Sequence, residues 1–374
     1  MDFELSEEQK MLQKTIRDFA EKETAPIVDA AEAKGEPPRE LFQRMGQLGF
    51  LSVGTPEKYG GGGMGLTGVC IFKEEMSRVC AGIAQSSIML TPHWIDLATE
   101  MQREKYFLPL IRGEKLASFG LTEPNAGSDA VSVKMTAKKD GDSYVLNGEK
   151  IFTTSGTIAD FMIALAVTDD TKGHRGMSAF IVDKDAPGLT TNKLHKFGMQ
   201  SADTGQEFFD NCRIPAQNLL GEEGKGFYYF MDALDYFRPQ YAAQCVGIAQ
   251  VAYENSVSYA KERIQFGQPI GKFQVNAFKL VEMDTDIETA RLLIYKAAWL
   301  ADQERPYAKE AAASRYLAAD VAMHVTTEAL QIHGGYGLVS ESPLNRHFRD
   351  AKFFSIMMGT SEICKVVIAR TITG

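Results

Sequence analysis

Four segments of this 374-residue chain carry polar and glycine residues in patterns that packing alone explains poorly. In residues 119–129, the hydroxyls of Thr122 and Ser128 flank Gly127, whose missing side chain lets a ligand approach the backbone. Read without a ligand, the same segment is a strand followed by an Asn/Gly turn. In residues 147–156, the ring of Phe152 and the hydroxyls of Thr153 and Thr154 sit between turn signals. Residues 262–274 hold Arg263, whose guanidinium suits a pyrophosphate bidentately. A solvated arginine at a helix end is the plain alternative. The fourth segment runs from Gln331 and His333 through Gly334 and Gly335 to 345–350, and on to Met358, Gly359, Thr360, Ser361 and Glu362. A lone histidine such as His333 reads first as a hydrogen-bonded structural residue. The glycine-rich run 59–65 has no GK[ST] ending and reads as an ordinary loop.

The elements that position these segments change along the chain. Ser6 followed by Gln9 forms a capping-box pattern, and Met11, Leu12, Ile16 and Phe19 recur at helical spacing. Helical patterns continue through 40–50 and 71–79. From Ala117 to about residue 221, short β-rich runs alternate with turn signals. Strands are predicted at 131–138 and 144–146 around Asp140-Gly141, a turn at Asn147-Gly148, and further strands at 151–154, 161–167 and 177–182. Amphipathic helices are predicted over 229–260, 275–303 and 309–332, the last closed by Gly334-Gly335. The fold class is α+β: an N-terminal helical domain (1–117), a middle β domain (118–222) and a C-terminal helical bundle (223–374).

Composition narrows the class. The chain is 44% hydrophobic and 24% charged with a net charge of −9, values of a globular protein. The acidic balance argues against nucleic acid or an anionic membrane as partner. Five scattered cysteines form neither a CxxC pair nor a metal spacing, as expected of reduced structural thiols. With an acidic, polar N-terminus and no apolar run of spanning length, the expected location is the cytoplasm.

Taken together, the four segments resemble the acyl-CoA dehydrogenase family along essentially the whole chain. TEPNAGSDA is similar to the family's TEPxAGSD signature, and NGEKIFTTSG to its NGxKxWITNG strand, with Phe152 for the tryptophan. ERIQFGQPIGKFQ resembles ERxQFGxPIxxFQ, and the C-terminal stretch resembles QxxGGxGY…RxxRDA…EGTSEI. The resemblance implies FAD held between the three domains, the last a four-helix bundle. It places Phe119, Leu121, Thr122, Gly127 and Ser128 along the flavin and its phosphates, and Phe152 and Thr154 over the isoalloxazine ring. Arg263, Phe266, Gln274, Gln331, Gly334 and Gly335 would contact the dinucleotide of a neighbouring subunit, with Thr360 and Glu362 on the adenosine side. That arrangement implies a homotetramer, a dimer of dimers. Ser128, Asp235, Arg238 and Gly359 would contact the acyl-CoA; Asp235 and Arg238 match an LDxxR motif whose spacing puts both on one helical face, where a surface ion pair is the bland reading. Electron-transfer flavoprotein is the implied electron acceptor.

The sequence departs from the family at its base. Oxidising a thioester removes a proton from Cα, and the family supplies a glutamate for it, at the position Met358 occupies here or at that of Phe237. Both are apolar. A backbone N–H at Met358 would still polarise the thioester carbonyl, since that donor is independent of side chain. The pocket-floor segment 86–96 is a few residues shorter than usual and carries Thr91, His93, Trp94 and Asp96. Asp96 is the candidate relocated base; a repacked helix end is the alternative. Members that have lost the glutamate include the cyclohexene carboxyl-CoA dehydrogenase type. The expected activity is therefore FAD-dependent oxidation of an unusual, cyclic or conjugated acyl-CoA. A flavin-dependent lyase of the desulfinase or decarboxylase type, and a redox-silent acyl-CoA-binding homologue, are the alternatives.

Overall fold

The computed structural model describes residues 4–88 and 91–373. Met1–Phe3 of the acidic N-terminus, Met89 and Leu90 of the floor segment, and Gly374 lie outside the described residues. Helix α1 (Glu7–Phe19) starts on the Ser6/Gln9 capping box and buries Ile16 and Phe19, while Met11 stays 70% exposed. Helix α2 (Arg39–Gln47) buries Leu41, Phe42 and Met45. Helix α3 (Gly65–Val79) is buried nearly all round, including three charged residues. Two have ion pairs: Glu75 with Arg17 at 2.8 Å and Glu74 with Arg291 at 3.0 Å. The third, Lys73, donates to the carbonyls of Ala84 and Ser87, and burial lowers its pKa to about 7. Short helices α4 (Ala81–Ser86) and α5 (Pro92–Leu97) follow; Thr91 caps α5 by accepting from the Trp94 N–H at 3.2 Å.

The β domain is one sheet built from β1 (Ala117–Gly120), β2 (Thr136–Asp140), β3 (Ser143–Thr154), β4 (Phe161–Val167), β5 (Met177–Asp183), β6 (Leu189–Lys193), β7 (Thr204–Pro215) and β8 (Leu219–Leu220). Its order is β6-β7-β3-β2-β4-β5-β8, with β1 parallel to β4. The β2–β3 hairpin turns at Gly141 (φ 60°), as Asp140-Gly141 predicts. The turn expected at Asn147-Gly148 is corrected. Both residues lie inside β3, where the register against β7 shifts between Leu146 and Gly148 and Gly148 takes φ 139°. The Asn147 side chain accepts from the Asn211 N–H at 2.8 Å, so the dipeptide forms a bulge instead of reversing the chain. Val131, expected to begin a strand, sits in a 3-10 turn, and β2 starts at Thr136.

The C-terminal region comprises α6 (Gly226–Glu262), α7 (Gln274–Asp302), α8 (Ala308–His333), α9 (Pro343–Phe354) and α10 (Ser361–Thr373). Buried alanines on α6 and α8, including Ala242, Ala249, Ala318 and Ala322, let these helices pack closely against each other. Gly334 (φ 59°) ends α8, as predicted. Asp302 at the end of α7 accepts from the Leu66 and Thr67 N–H groups at 2.6 and 3.0 Å, tying the bundle to the start of α3.

Candidate active site

The connection between α9 and α10 holds Met358, which the resemblance places at the glutamate position. Met358 adopts φ 54°, a left-handed backbone unusual for a non-glycine residue, and Gly359 follows at φ 86°. The loop is closed by the Ser361 N–H donating to the Ser355 carbonyl at 3.1 Å. The Thr360 hydroxyl caps α10 through the Ile363 N–H at 3.2 Å, and Glu362 is exposed in its first turn.

Two buried guanidiniums reach this loop. Arg315 on α8 is 1% exposed and donates Nη2 to the Met357 carbonyl at 2.7 Å. Arg238 on α6 is 5% exposed, and its Nη2 would lie 3.9 Å from a Cβ placed on Gly359. Arg238 pairs with Asp235 on the same helical face; the arginine is buried and the aspartate half-buried where it lines a cleft. Burial pushes the Asp235 carboxyl up, with Arg238 pulling it back.

Next to Arg238 in the chain, Phe237 belongs to an aromatic cluster. Phe237, the family's second base position, is 1% exposed and meets Phe119 and Trp94 edge-on at 5.9 and 6.2 Å. Trp94 stacks on Phe119 at 5.6 Å and 15°, and Phe230 packs on Phe119 at 4.6 Å. Two residues further along α5 the side chain points the other way, since successive helical positions rotate by about 100°. Asp96 therefore faces outward, 47% exposed, accepting from Lys58 Nζ at 2.8 Å and Tyr59 Oη at 2.7 Å. Partial burial raises its pKa, but these two donors outweigh that and hold it below the usual carboxylate value. A cleft of about 380 Å³ between α5, α6 and the end of α7 is lined by Thr91, His93, Asp232, Asp235 and Asp302.

The predicted flavin residues gather at β1 and β3. Phe152 takes φ 60° at a second register shift of β3, between Ile151 and Thr153, and is 68% exposed. The Ile151 N–H donates to the Thr122 carbonyl at 2.9 Å, joining the two signature segments. Leu121 is buried and its carbonyl accepts from Lys150 Nζ at 3.1 Å; that lysine pairs with Glu123 at 2.8 Å. Thr154 is half-buried, and Gly127 and Ser128 lie exposed in the loop after Glu123.

A second group lines a separate cleft of about 770 Å³: Arg263, Phe266, Gln331, Gly334 and Gly335. Phe266 is 94% exposed at φ 52°, and Arg263 lies over the Tyr336 ring at 5.9 Å. Gln274, exposed, opens α7 just beyond the cleft. His333 Nδ1 donates to the Ala329 carbonyl at 2.8 Å and its ring stacks on Tyr259 at 4.3 Å, a structural role.

Two buried groups escaped the sequence reading. One is Arg315. The other is Glu207 on β7, which accepts from the Thr153 hydroxyl at 2.7 Å while its second oxygen has no partner among the described residues. Burial raises its pKa to about 8, with nearby Asp203 adding to the rise. Its signal was a carboxylate at an inward position of an alternating strand.

The chain runs helical–β–helical, with an exposed aromatic ring on β3 and a second cleft bordered by Arg263, Gly334 and Gly335. The acyl-CoA dehydrogenase N-terminal, middle and C-terminal domain families match residues 6–114, 118–212 and 224–373. The chain is 43% identical over 378 residues to acryloyl-CoA reductase (NADH) of Anaerotignum propionicum, covering 100% of this chain and 96% of that protein. It superposes on butyryl-CoA dehydrogenase of Megasphaera elsdenii with a TM-score of 0.96 at 42% identity, covering 100% of both chains. It superposes equally, at 41% identity and full coverage of both, on a chain from a structure of the electron transferring flavoprotein of Acidaminococcus fermentans. The chain belongs to the acyl-CoA dehydrogenase family and is an FAD flavoprotein oxidoreductase acting on CH–CH bonds.

The residues present fit FAD. Phe152 offers an exposed ring face, Phe266 and Arg263 border an open cleft, and Cβ atoms on Gly334 or Gly335 would meet nothing within 4 Å, so the backbone there is free to be approached. Among the described residues, no group of three or more His, Cys, Asp or Glu side chains could hold a metal ion, and no helix is long and apolar enough to cross a membrane.

Proposed function

We propose that the protein interconverts short acyl-CoA and 2-enoyl-CoA thioesters, and that the Met358 N–H polarises the thioester carbonyl. The observation that carries this reading is the pairing of a retained backbone donor with two apolar base positions, Met358 and Phe237. Polarising the carbonyl stabilises the enolate formed in either direction. Taking a proton from Cα of a saturated ester needs a positioned base, worth about 10²–10⁴-fold. In the reverse direction water can protonate the enolate, but that step is the microscopic reverse of abstraction, so the loss slows both directions alike and the potentials of the thioester and the flavin decide which one runs. FAD, when bound, supplies the hydride exchange at Cβ. Phe152 and Thr154 hold the ring's face, and Asp235 and Arg238 meet the CoA arm.

A short acyl group is supported by the likeness to acryloyl-CoA and butyryl-CoA enzymes, and the packed rings of Trp94, Phe119, Phe230 and Phe237 are the proposed limit on its length. Asp96 is poorly placed as a base, since its carboxylate faces outward and is held by Lys58 and Tyr59. Electron transferring flavoprotein is the proposed redox partner, on the likeness already described. A homotetramer is proposed because the second cleft, with Phe266 exposed at its edge, would be completed by a neighbouring subunit's cofactor. Five buried, unpaired cysteines support a reducing compartment such as the cytoplasm.

The test mixes the protein anaerobically with linear, branched and cyclic thioesters while flavin absorbance is followed. Reoxidation of the reduced flavin by acryloyl-CoA or crotonyl-CoA, with little bleaching of the oxidised flavin by butyryl-CoA, is expected. A response to cyclic enoyl-CoA alone would replace this reading with the cyclic type, and a product formed without net flavin change would replace it with a lyase.

A further inference from the structure

Arg315 is a buried cation without a counter-ion. It sits on the inward face of α8 among alanines, and among the described residues no carboxylate pairs with it. Its Nε has no hydrogen-bond partner, and the guanidinium's one hydrogen bond within the described residues is the donation from Nη2 to the Met357 carbonyl at 2.7 Å. The Phe354 ring lies 5.8 Å from its central carbon. Burying an unpaired charge is costly, and an uncharged residue would fill the same space. Arginine stays protonated even here.

The Met357 carbonyl and the Met358 N–H belong to one planar peptide unit. A charged donor on the oxygen draws electron density along the amide and makes the N–H at its other end a stronger donor. We propose that Arg315 is a positioning residue that polarises the 357–358 peptide, so that the Met358 N–H binds the developing enolate oxygen more strongly. Arg315 also fixes the orientation of that N–H by holding the carbonyl opposite it, in a loop where Met358 has left-handed backbone angles. The inference rests on the reading that the Met358 N–H meets the thioester carbonyl.

The test is the carbonyl stretching frequency of crotonyl-CoA bound to the oxidised holoenzyme, measured by Raman difference spectroscopy for the wild type, Arg315→Gln and Arg315→Lys. The wild type is expected to lower the frequency relative to free ester. Arg315→Gln is expected to lose half or more of that shift, with crotonyl-CoA turnover about tenfold slower and its KM little changed. Arg315→Lys is expected to keep the shift near neutral pH and to lose it as the pH rises through the titration of its buried ammonium. Affinity for free coenzyme A should stay within about twofold in all three, as expected of changes that leave the fold intact. A full wild-type shift in Arg315→Gln overturns the inference alone. An unshifted ester in the wild type overturns the underlying reading and the inference with it. If Arg315→Gln does not fold, a shift in Arg315→Lys that is insensitive to pH overturns the inference.

Discussion

Arg315 Nη2 and the Met357 carbonyl oxygen lie 2.7 Å apart, with the arginine 1% exposed, so a buried positive charge backs the loop that carries Met358. Arg238 reaches the same loop near Gly359, and its Asp235 partner is the carboxylate paired there. A pocket with this charge balance stabilises an enolate but would hold a new carboxylate strongly ionised.

That balance sets the size of the gain expected from restoring the glutamate. Met358→Glu should raise oxidation of butyryl-CoA by about 10²-fold, at the low end for a general base, because Arg238 would depress the new group's pKa and weaken it as a proton acceptor. Stopped-flow bleaching of the flavin by butyryl-CoA measures it. An unchanged rate would mean that Met358 does not face Cα.

Trp94 should limit acyl length. Trp94→Ala should shift kcat/KM from four-carbon toward eight-carbon enoyl-CoA esters, at a stability cost of about 3–5 kcal/mol for the cavity left beside Phe119 and Phe230. An unchanged chain-length preference in the folded variant would remove Trp94 from the pocket.

Asp96→Asn should leave turnover within about threefold of the wild type, as for surface substitutions generally. Its solvent-exposed pairing with Lys58 is screened by water and contributes little. A loss of several hundredfold in crotonyl-CoA reduction would instead make Asp96 a proton donor or acceptor.

Glu207 should make stability fall as pH rises. Its folded pKa of about 8 lies above the ordinary carboxylate value of 4.5, so between these the folded state keeps a proton that the unfolded chain releases. Stability is fully present below about pH 4.5, declines through about pH 8 and levels off above it, a total on the order of 5 kcal/mol. The groups facing it are the Thr153 hydroxyl, Asp203 and Lys150. Glu207→Gln, mimicking the protonated form, should melt with the wild type at pH 5 and progressively above it toward pH 9. A constant gap between the two melting temperatures would show that Glu207 is ionised in the fold.

Local signals were the legible ones. Asp140-Gly141 turns a hairpin, Ser6 and Gln9 cap a helix and Gly334 ends one, because each depends on a few neighbouring residues. Asn147-Gly148 carries the same turn signal, but pairing with β7 overrides it and makes a bulge. The family was legible as motifs, since each motif is contiguous. The opposite facing of Trp94 and Asp96 needed the orientation of α5 against α6. Arg315 reads in sequence as an arginine on an alanine-rich helix, and Glu207 as a polar residue in a strand. Only tertiary packing shows that one reaches the Met357 carbonyl and the other lies under Thr153.

The claim that this site lacks a carboxylate base is tested most directly by deuterium exchange at Cα. Butyryl-CoA incubated with the oxidised holoenzyme in D2O should recover without deuterium at Cα over many turnover times, while crotonyl-CoA reduced by the same protein should carry one solvent deuterium there. Rapid deuteration of butyryl-CoA by the wild type would mean that a base faces Cα and would contradict the account.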